Sequence, residues 1–226
     1  EYSVSRQEQD RYAVRSQERY AAAKAQGRFA AEIVAVDIPQ RKGTPTVFDV
    51  DEHPRQDVSL EGLTKLRPAF DEEGTVTAGN ASGLNDGAAA LTVLSEAESE
   101  ARNIEPLARV VDAVSVGVDP RVMGIGPAPA IEGLLQRNGL SLVDIDLLEV
   151  NEAFAAQVLA VGRRLDWDAE RVNVNGGAIA LGHPVGASGA RIAVTLLHEM
   201  RRRDARRGIA ALCIGGGMGI AVLFER

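Results

Sequence analysis

The chain has 226 residues, a formal net charge of -7 and a hydrophobic share of 45%, so it can bury a sizeable core and is not wholly disordered. The acidic balance argues against a nucleic-acid partner, and no apolar run approaches the roughly 18 residues of a membrane span, so we expect no membrane partner. A single Cys allows no internal disulfide and no cysteine-based metal site, which favours a reducing, cytoplasmic location.

The first half of the chain begins with a predicted helix. Ser5 and Glu8 have the spacing of a capping box, and an Ala- and Gln-rich helix follows them. Residues 33–38 alternate as a strand does, and residues 39–54 are polar enough for a surface excursion. A nearly continuous apolar run over residues 87–95 predicts a buried strand or the approach to one.

The second half of the chain alternates predicted strands with predicted helices. The strands are residues 107–118, 145–150, 171–174, 209–214 and 220–224, and the helices are residues 128–138, 153–165 and 188–203. Such alternation predicts a layered α/β architecture with a mostly parallel sheet. The glycine-rich link between the last two strands predicts that they pair as a final antiparallel hairpin.

Three loops at predicted strand ends hold the unusual polar residues. Ligand sites in open α/β sheets lie beyond the carboxyl ends of the strands. Ten of the 23 Gly residues lie between Gly176 and Gly219, and glycine lets a backbone approach a ligand closely. Asn151, His183 and Cys213 each lie at or beyond the end of a separate strand and can converge there.

Four runs of residues resemble motifs of the thiolases, specifically of their acetyl-CoA acetyltransferases. One glycine-rich loop alone would be weak support, but these runs follow the family's order along the whole chain. They are residues 80–88 (NASGLNDGA), 151–155 (NEAFA), 182–189 (GHPVGASG) and 213–219 (CIGGGMG).

The resemblance implies a Claisen condensation of two acetyl-CoA to acetoacetyl-CoA and CoA, or the reverse thiolysis. By resemblance, Cys213 is the acid/base that takes the α-proton and protonates the leaving sulfur, and a thiol near pKa 8.5 suits both steps. His183 resembles the donor of an oxyanion hole, in which Asn151 holds a water, and the Gly215 N–H joins a second hole. A helix starting near Ser188 points its positive end at His183 and supports a neutral ring.

The resemblance also implies that coenzyme A thioesters are the substrates and that no separate cofactor or metal is needed. Arg55 is similar to a phosphate contact. The positions that match the family's CoA channel are Phe70, Ala78, Ser82, Met123, Ala153 and Phe154. Of these, Met123 and Phe154 could be plain core residues instead of channel-lining ones.

The family uses two cysteines, and by resemblance the acyl-accepting one lies in a segment that precedes this sequence. The chain thus resembles the C-terminal part of a thiolase. Residues 1–78 correspond to the remainder of a CoA-binding loop domain, residues 79–103 to the last helix and strand of the N-terminal domain, and residues 104–226 to the C-terminal domain of the layered αβαβα fold. We expect the isolated chain to be inactive. Its expected partners are the absent half and further copies in a dimer or tetramer, and its expected role is in fatty acid metabolism.

Other functions are open at this point. One is a non-catalytic CoA-binding or dimerising remnant, and another is a Cys–His hydrolase with Cys213 as nucleophile. The related ketoacyl synthases use a Cys with two histidines. The chain's other histidines, His53 and His198, lie in unrelated sequence contexts, so this alternative is poor. A dinucleotide-binding reading of residues 215–219 fails because a strand follows them where that motif needs a helix.

Overall fold

A computed structural model describes residues 1–55 and 57–226 of the chain. Short 3-10 segments lie at Pro120–Ile125, Leu142–Asp144 and Ala169–Arg171. The longer elements of these residues are α1 (Arg6–Ala25), β1 (Val36–Ile38), β2 (Thr46–Phe48), α2 (Leu60–Thr64), α3 (Glu96–Ala101), β3 (Arg109–Gly117), α4 (Pro127–Asn138), β4 (Leu147–Val150), α5 (Ala155–Leu165), α6 (Ala178–Leu181), α7 (Ser188–Arg203), β5 (Arg207–Ile214) and β6 (Met218–Glu225).

The main sheet has the strand order β3-β6-β5-β4. β4 runs parallel to β5, while β6 is antiparallel to both β5 and β3. The predicted final hairpin is confirmed, since β5 and β6 pair along their whole length. The parallel part of the sheet is smaller than the sequence predicts. Residues 171–174 add an isolated parallel bridge, Leu148 with Val172, in place of a full strand.

The two faces of the sheet pack against different helices, which confirms the predicted α/β class. Successive side chains of a strand point to opposite faces. On β4, Leu148 packs with Leu134 of α4, whereas Leu147 packs with Leu196 of α7. No helix of the described residues is long and apolar enough to cross a membrane.

Helix α1 starts at the predicted capping box. The Ser5 hydroxyl accepts from the Glu8 N–H, and the Glu8 carboxylate accepts from the Ser5 N–H at 2.8 Å. The predicted strand at 33–38 is shortened to β1, which pairs with β2 in an exposed hairpin. The surface excursion therefore contains a strand that its polar composition did not indicate.

The prediction of a buried strand over residues 87–95 is wrong. The segment joins no sheet and is exposed, with 41%, 76% and 37% of Leu91, Val93 and Leu94 accessible. A strand needs a neighbour for its backbone N–H and C=O groups. In the described part of the chain none lies beside this segment.

The sheet–helix core predicts a large response to cavity creation. Replacing Leu134, which is 0% exposed, by Ala should cost about 2–5 kcal/mol of unfolding free energy. Val143→Ala is the matched control, because Val143 is 81% exposed, and it should change little. Urea unfolding followed by circular dichroism measures both, and equal losses would contradict the placement of this core.

Candidate active site

Asn151 and His183 form the centre of the candidate site. Asn151 follows β4 directly, and its backbone N–H donates to the Ala211 carbonyl at 2.9 Å, which extends the pairing of β4 with β5. Its side chain is buried, and its Nδ2 lies 3.2 Å from His183 Nε2. The structure therefore brings two residues predicted from separate loops into direct contact.

A tight turn after α6 fixes His183. Gly182 has φ +98°, and a Cβ there would lie 2.5 Å from Asn85 Oδ1. The His183 N–H donates to that same oxygen at 3.1 Å and to the Gly83 carbonyl at 3.2 Å. Sequence reasoning assigned no role to Asn85, although it lies inside the 80–88 run.

The other ring nitrogen of His183 faces the start of α7. Its Nδ1 lies 2.6 Å from Ser188 Oγ, which in turn donates to the Pro184 carbonyl at 3.0 Å. In this arrangement Nδ1–H donates to Ser188, and Nε2 accepts from the Asn151 amide. If the Ser188 hydroxyl turns to donate to Nδ1, Nε2 carries the proton and becomes a donor. Both states leave the ring neutral.

The surroundings of His183 disfavour the imidazolium. Burial lowers the pKa of His183, and the nearby positive charge of Arg191 lowers it further. Ser188 is the first residue of α7, so the positive end of that helix faces the same ring. The side chain is therefore neutral at pH 7.

Cys213 lies at the same sheet edge as Asn151, because β4 and β5 run parallel. The thiol is free and buried, and burial raises the pKa of Cys213. Among the described hydrogen bonds, none joins Cys213 to Asn151 or His183.

Gly215 is the first residue of the turn between β5 and β6 and is exposed. The turn is held in place where the Val118 N–H donates to the Gly217 carbonyl at 2.7 Å.

Four of the predicted CoA-channel residues lie together around the loop that follows Asn151. The Ser82 N–H and Oγ both donate to the Ala153 carbonyl, at 3.0 and 3.1 Å. Ala81 forms a bridge with Phe154, and the Phe154 ring meets Phe70 edge-on with centroids 6.0 Å apart. Phe70 is largely exposed, so this cluster borders solvent.

Arg55 lies at a pocket, and Ala78 precedes a glycine that packs on one of the pocket's residues. Arg55 lines a pocket of about 410 Å³ together with Leu63 and Leu66. Gly79, next to Ala78, packs so closely on Leu63 that a Cβ would come within 2.4 Å of its Cδ2. The remaining predicted residue, Met123, lies in the 3-10 segment Pro120–Ile125, and none of the described hydrogen bonds joins it to either group. Nor does any cluster of three His, Cys, Asp or Glu side chains among the described residues suit a metal ion.

Glu149 is a buried acid that sequence reasoning missed. It lies two residues before Asn151 on β4, is 2% exposed, and neither carboxyl oxygen has a hydrogen-bond partner in the described structure. Burial raises the pKa of Glu149 to about 8, against the opposing effect of Arg191. Its carboxyl is therefore protonated at neutral pH. An acid inside an otherwise apolar strand was the signal available in the sequence.

The electrostatics of His183 predict the effect of removing Arg191. Arg191→Gln should raise the pKa of His183, because a nearby positive charge disappears. NMR titration resolves this, since the chain has only three His residues. Arg201→Gln is the control on the same helix: it should raise the pKa of His198 and leave His183 alone. An unchanged His183 in Arg191→Gln would contradict the assignment.

Glu149 predicts how stability depends on pH. Its folded pKa of about 8 exceeds the ordinary 4.5, so its stabilising contribution is complete below pH 4.5 and lost as pH rises to about 8. The loss is on the order of 1 kcal/mol per pH unit.

Glu149→Gln, which has no proton to lose, should therefore flatten the decline in urea midpoint between pH 6 and pH 8. Glu32, whose pKa burial raises to about 7, adds the same trend to both proteins and cancels. Exposed Glu105→Gln is the control and should keep the wild-type slope. An equally steep decline in Glu149→Gln would rule this account out.

Two family models match the chain: "Thiolase, N-terminal domain" over residues 1–97 and "Thiolase, C-terminal domain" over residues 104–226. The acetyl-CoA acetyltransferase of Pseudomonas aeruginosa is 58% identical over 225 residues, which are the whole of this chain and 57% of that protein. The probable acetyl-CoA acetyltransferase of Escherichia coli is 58% identical over 226 residues, with the same coverage. The chain thus spans a little over half the length of these relatives.

Solved structures show the same likeness. The Bacillus anthracis acetyl-CoA acetyltransferase matches with a TM-score of 0.97 at 52% identity, over 99% of this chain and 57% of that one. Human mitochondrial 3-ketoacyl-CoA thiolase in complex with CoA matches with a TM-score of 0.89 at 48% identity, over 98% and 55%. These matches confirm the predicted thiolase-like layered fold, and the chain belongs to the thiolase family.

Proposed function

We propose that this chain is the part of an acetyl-CoA acetyltransferase that carries the acid/base thiol and an oxyanion hole. The whole enzyme would condense two acetyl-CoA to acetoacetyl-CoA and CoA, or catalyse the reverse thiolysis. The observation that carries the proposal is the contact between Asn151 and His183 at the sheet edge where Cys213 lies near the end of β5. The names of the similar bacterial proteins support the choice of acetyl groups.

Cys213 moves the proton in this proposal. Its thiolate takes a proton from the methyl group next to the acetyl-CoA carbonyl, and the C–H electron pair becomes that of the enolate. Burial raises the pKa of the thiol, which makes the thiolate a stronger base. When the next acetyl-CoA transfers its acetyl group to the second cysteine, the protonated thiol gives this proton to the CoA sulfur as its C–S bond breaks, and the Cys213 thiolate is restored.

His183 and Asn151 stabilise the enolate oxygen. The neutral ring donates from Nε2 once the Ser188 hydroxyl donates to Nδ1, and Asn151 holds a water that supplies the second donor. The enolate carbon attacks the acyl thioester on a second cysteine, and the new C–C bond forms as that C–S bond breaks. The Gly215 N–H joins the hole for the acyl carbonyl.

A second polypeptide segment supplies the acyl-accepting cysteine, because Cys213 is the only thiol of this chain. The exposed apolar run around Leu91, Val93 and Leu94 supports a further partner surface, since water-exposed apolar patches mark interaction sites. We propose that assembly into a dimer or tetramer, a cytoplasmic location and a role in fatty acid metabolism accompany this activity.

Coenzyme A is the proposed ligand of the Arg55 pocket and of the cluster around Ser82. The Arg55 pocket would take a phosphate-bearing end, and the cluster around Ser82, Ala153 and Phe154 would take the chain that leads to the thioester. Phe70 at the exposed rim, Ala78 and Met123 complete the proposed lining. The likeness to a human thiolase solved with CoA supports this assignment.

Complementation tests the proposal. The chain alone should cleave no acetoacetyl-CoA, whereas mixing it with the N-terminal part of the Bacillus anthracis relative should give CoA-dependent thiolysis. Cys213→Ser in the mixture should lower kcat by about 10²–10⁴-fold, the usual contribution of a general acid/base. Exposed Val143→Ala is the control and should keep full activity. Activity that survives Cys213→Ser unchanged would overturn the assignment.

A non-catalytic CoA-binding remnant is the second candidate, because the sequence holds only one of the family's two cysteines. Calorimetry with CoA, run beside the complementation assay, separates the two. CoA binding without restored thiolysis would favour the remnant.

A further inference from the structure

Glu152 is a buried carboxylate whose two oxygens accept four hydrogen bonds. It is 1% exposed. Oε1 accepts from the Tyr12 hydroxyl at 2.8 Å and from Asn173 Nδ2 at 3.1 Å. Oε2 accepts from the Ser16 hydroxyl at 2.7 Å and from the Ile179 backbone N–H at 3.1 Å. All four donors are neutral, and they come from α1, from the segment that follows the 3-10 turn Ala169–Arg171 and from α6.

Each oxygen of Glu152 is linked, through one of its donors, to the chain that leads into one member of the Asn151–His183 pair. On the Oε1 side, Asn173 brackets the residue before Asn151: its Oδ1 accepts from the Val150 N–H and its Nδ2 donates to the Val150 carbonyl, both at 2.8 Å. On the Oε2 side, Ile179 lies in α6, which leads through Gly182 into His183. One carboxylate is therefore connected to the chain ahead of each partner, at Val150 through Asn173 and at Ile179 directly.

The space around Glu152 admits little movement. A Cβ on Gly177 would lie 2.3 Å from Glu152 Cδ, so only glycine fits at that position. The Gly177 N–H donates to Ser16 Oγ at 3.1 Å, which fixes the same segment to α1. With glycine packed against it and four donors around it, the carboxylate has one position.

From this geometry we infer that Glu152 is a positioning residue that sets the distance and orientation between Asn151 and His183. Its effect on the arrangement of the pair is independent of any activity, whereas its effect on turnover rests on the proposed function. The competing explanation is a purely structural role, in which Glu152 only fastens α1 to the sheet. The chemical difference among the four donors allows an experiment to distinguish these two explanations.

Glu152→Gln exploits a difference between those donors. The hydroxyls of Tyr12 and Ser16 can turn and accept from a Gln amide, but Asn173 Nδ2 and the Ile179 N–H can only donate. Because each oxygen faces one donor of each kind, the Gln NH2 group must meet a donor-only partner on either side. The variant should fold, yet lose the anchor of Asn151 or that of His183.

Tyr12→Phe is the matched control. It removes the hydroxyl that donates to Glu152 Oε1 and accepts from Asn173 Nδ2 at 3.2 Å. Asn173 keeps its bonds to the Val150 backbone and to Glu152, and Ile179 keeps its bond to Glu152. Long-range 1H–15N NMR of the three histidines reports the tautomer and hydrogen bonding of each ring. Both variants should lower the urea midpoint, and only Glu152→Gln should shift the His183 ring nitrogens while His53 and His198 stay unchanged.

Turnover in the complemented enzyme gives the second readout. Glu152→Gln should lower kcat on the order of 10- to 100-fold, with KM nearly unchanged, whereas Tyr12→Phe should lower it little. Should Glu152→Gln not fold, Glu152→Asp, which withdraws both oxygens but keeps the charge, should show the same His183 shift.

The inference fails if His183 is unchanged in the folded Glu152 variant, or if Tyr12→Phe shifts it equally. Absence of thiolysis in the complemented wild type, with the His183 shift present, would instead refute the proposed function alone.

Discussion

The parallel pairing of β4 with β5 is the constraint on which the candidate site depends. The two strands run in register from Leu147 opposite Gly208 to Val150 opposite Ala211, so their carboxyl ends meet at one edge. The Asn151 N–H adds one further bond to Ala211, and Cys213 lies two residues further along the neighbouring strand. A slip of one residue would turn every side chain of β4 to the other face. The packing of Leu147 and Leu148 on opposite faces, which fixes the register, therefore also places the polar residues that follow the strand.

Two buried carboxyl groups lie close to Asn151 in sequence, and they differ in the number of hydrogen-bond donors around them. Glu152 meets four donors, whereas Glu149 meets none among the described residues. Burial without partners favours the protonated acid at Glu149, and its pKa of about 8 follows from that. The strand end thus combines a hydrogen-bonded anchor with an uncharged acid, and the site gains fixed geometry without an unpaired negative charge.

Local signals predicted much of this molecule, and the failures have a common cause. The capping box of α1, the alternation of the second half and the final hairpin depend on neighbours in sequence, and they are confirmed. The 87–95 run was misread because pairing decides whether an apolar segment is a strand, and composition contains no information about a distant partner. The same limit applies to the site. The motifs placed Asn151 and His183 in separate loops, but the bonds of Glu152 to Tyr12 and Ser16 span more than 130 residues of sequence and left no local pattern.

The protonation states around the site discriminate between the two catalytic readings of Cys213. A Cys–His hydrolase needs a thiolate beside an imidazolium, and such pairs arise where a cation lowers the thiol pKa. Here burial raises the pKa of Cys213, while burial and Arg191 lower the pKa of His183, so both groups rest neutral. His183 also has both ring nitrogens engaged, one with Ser188 and one with Asn151, and neither faces Cys213 in the described bonds. A neutral ring that donates to an oxyanion and a thiol that gives its proton to a leaving sulfur fit these states, whereas an ion-pair nucleophile does not.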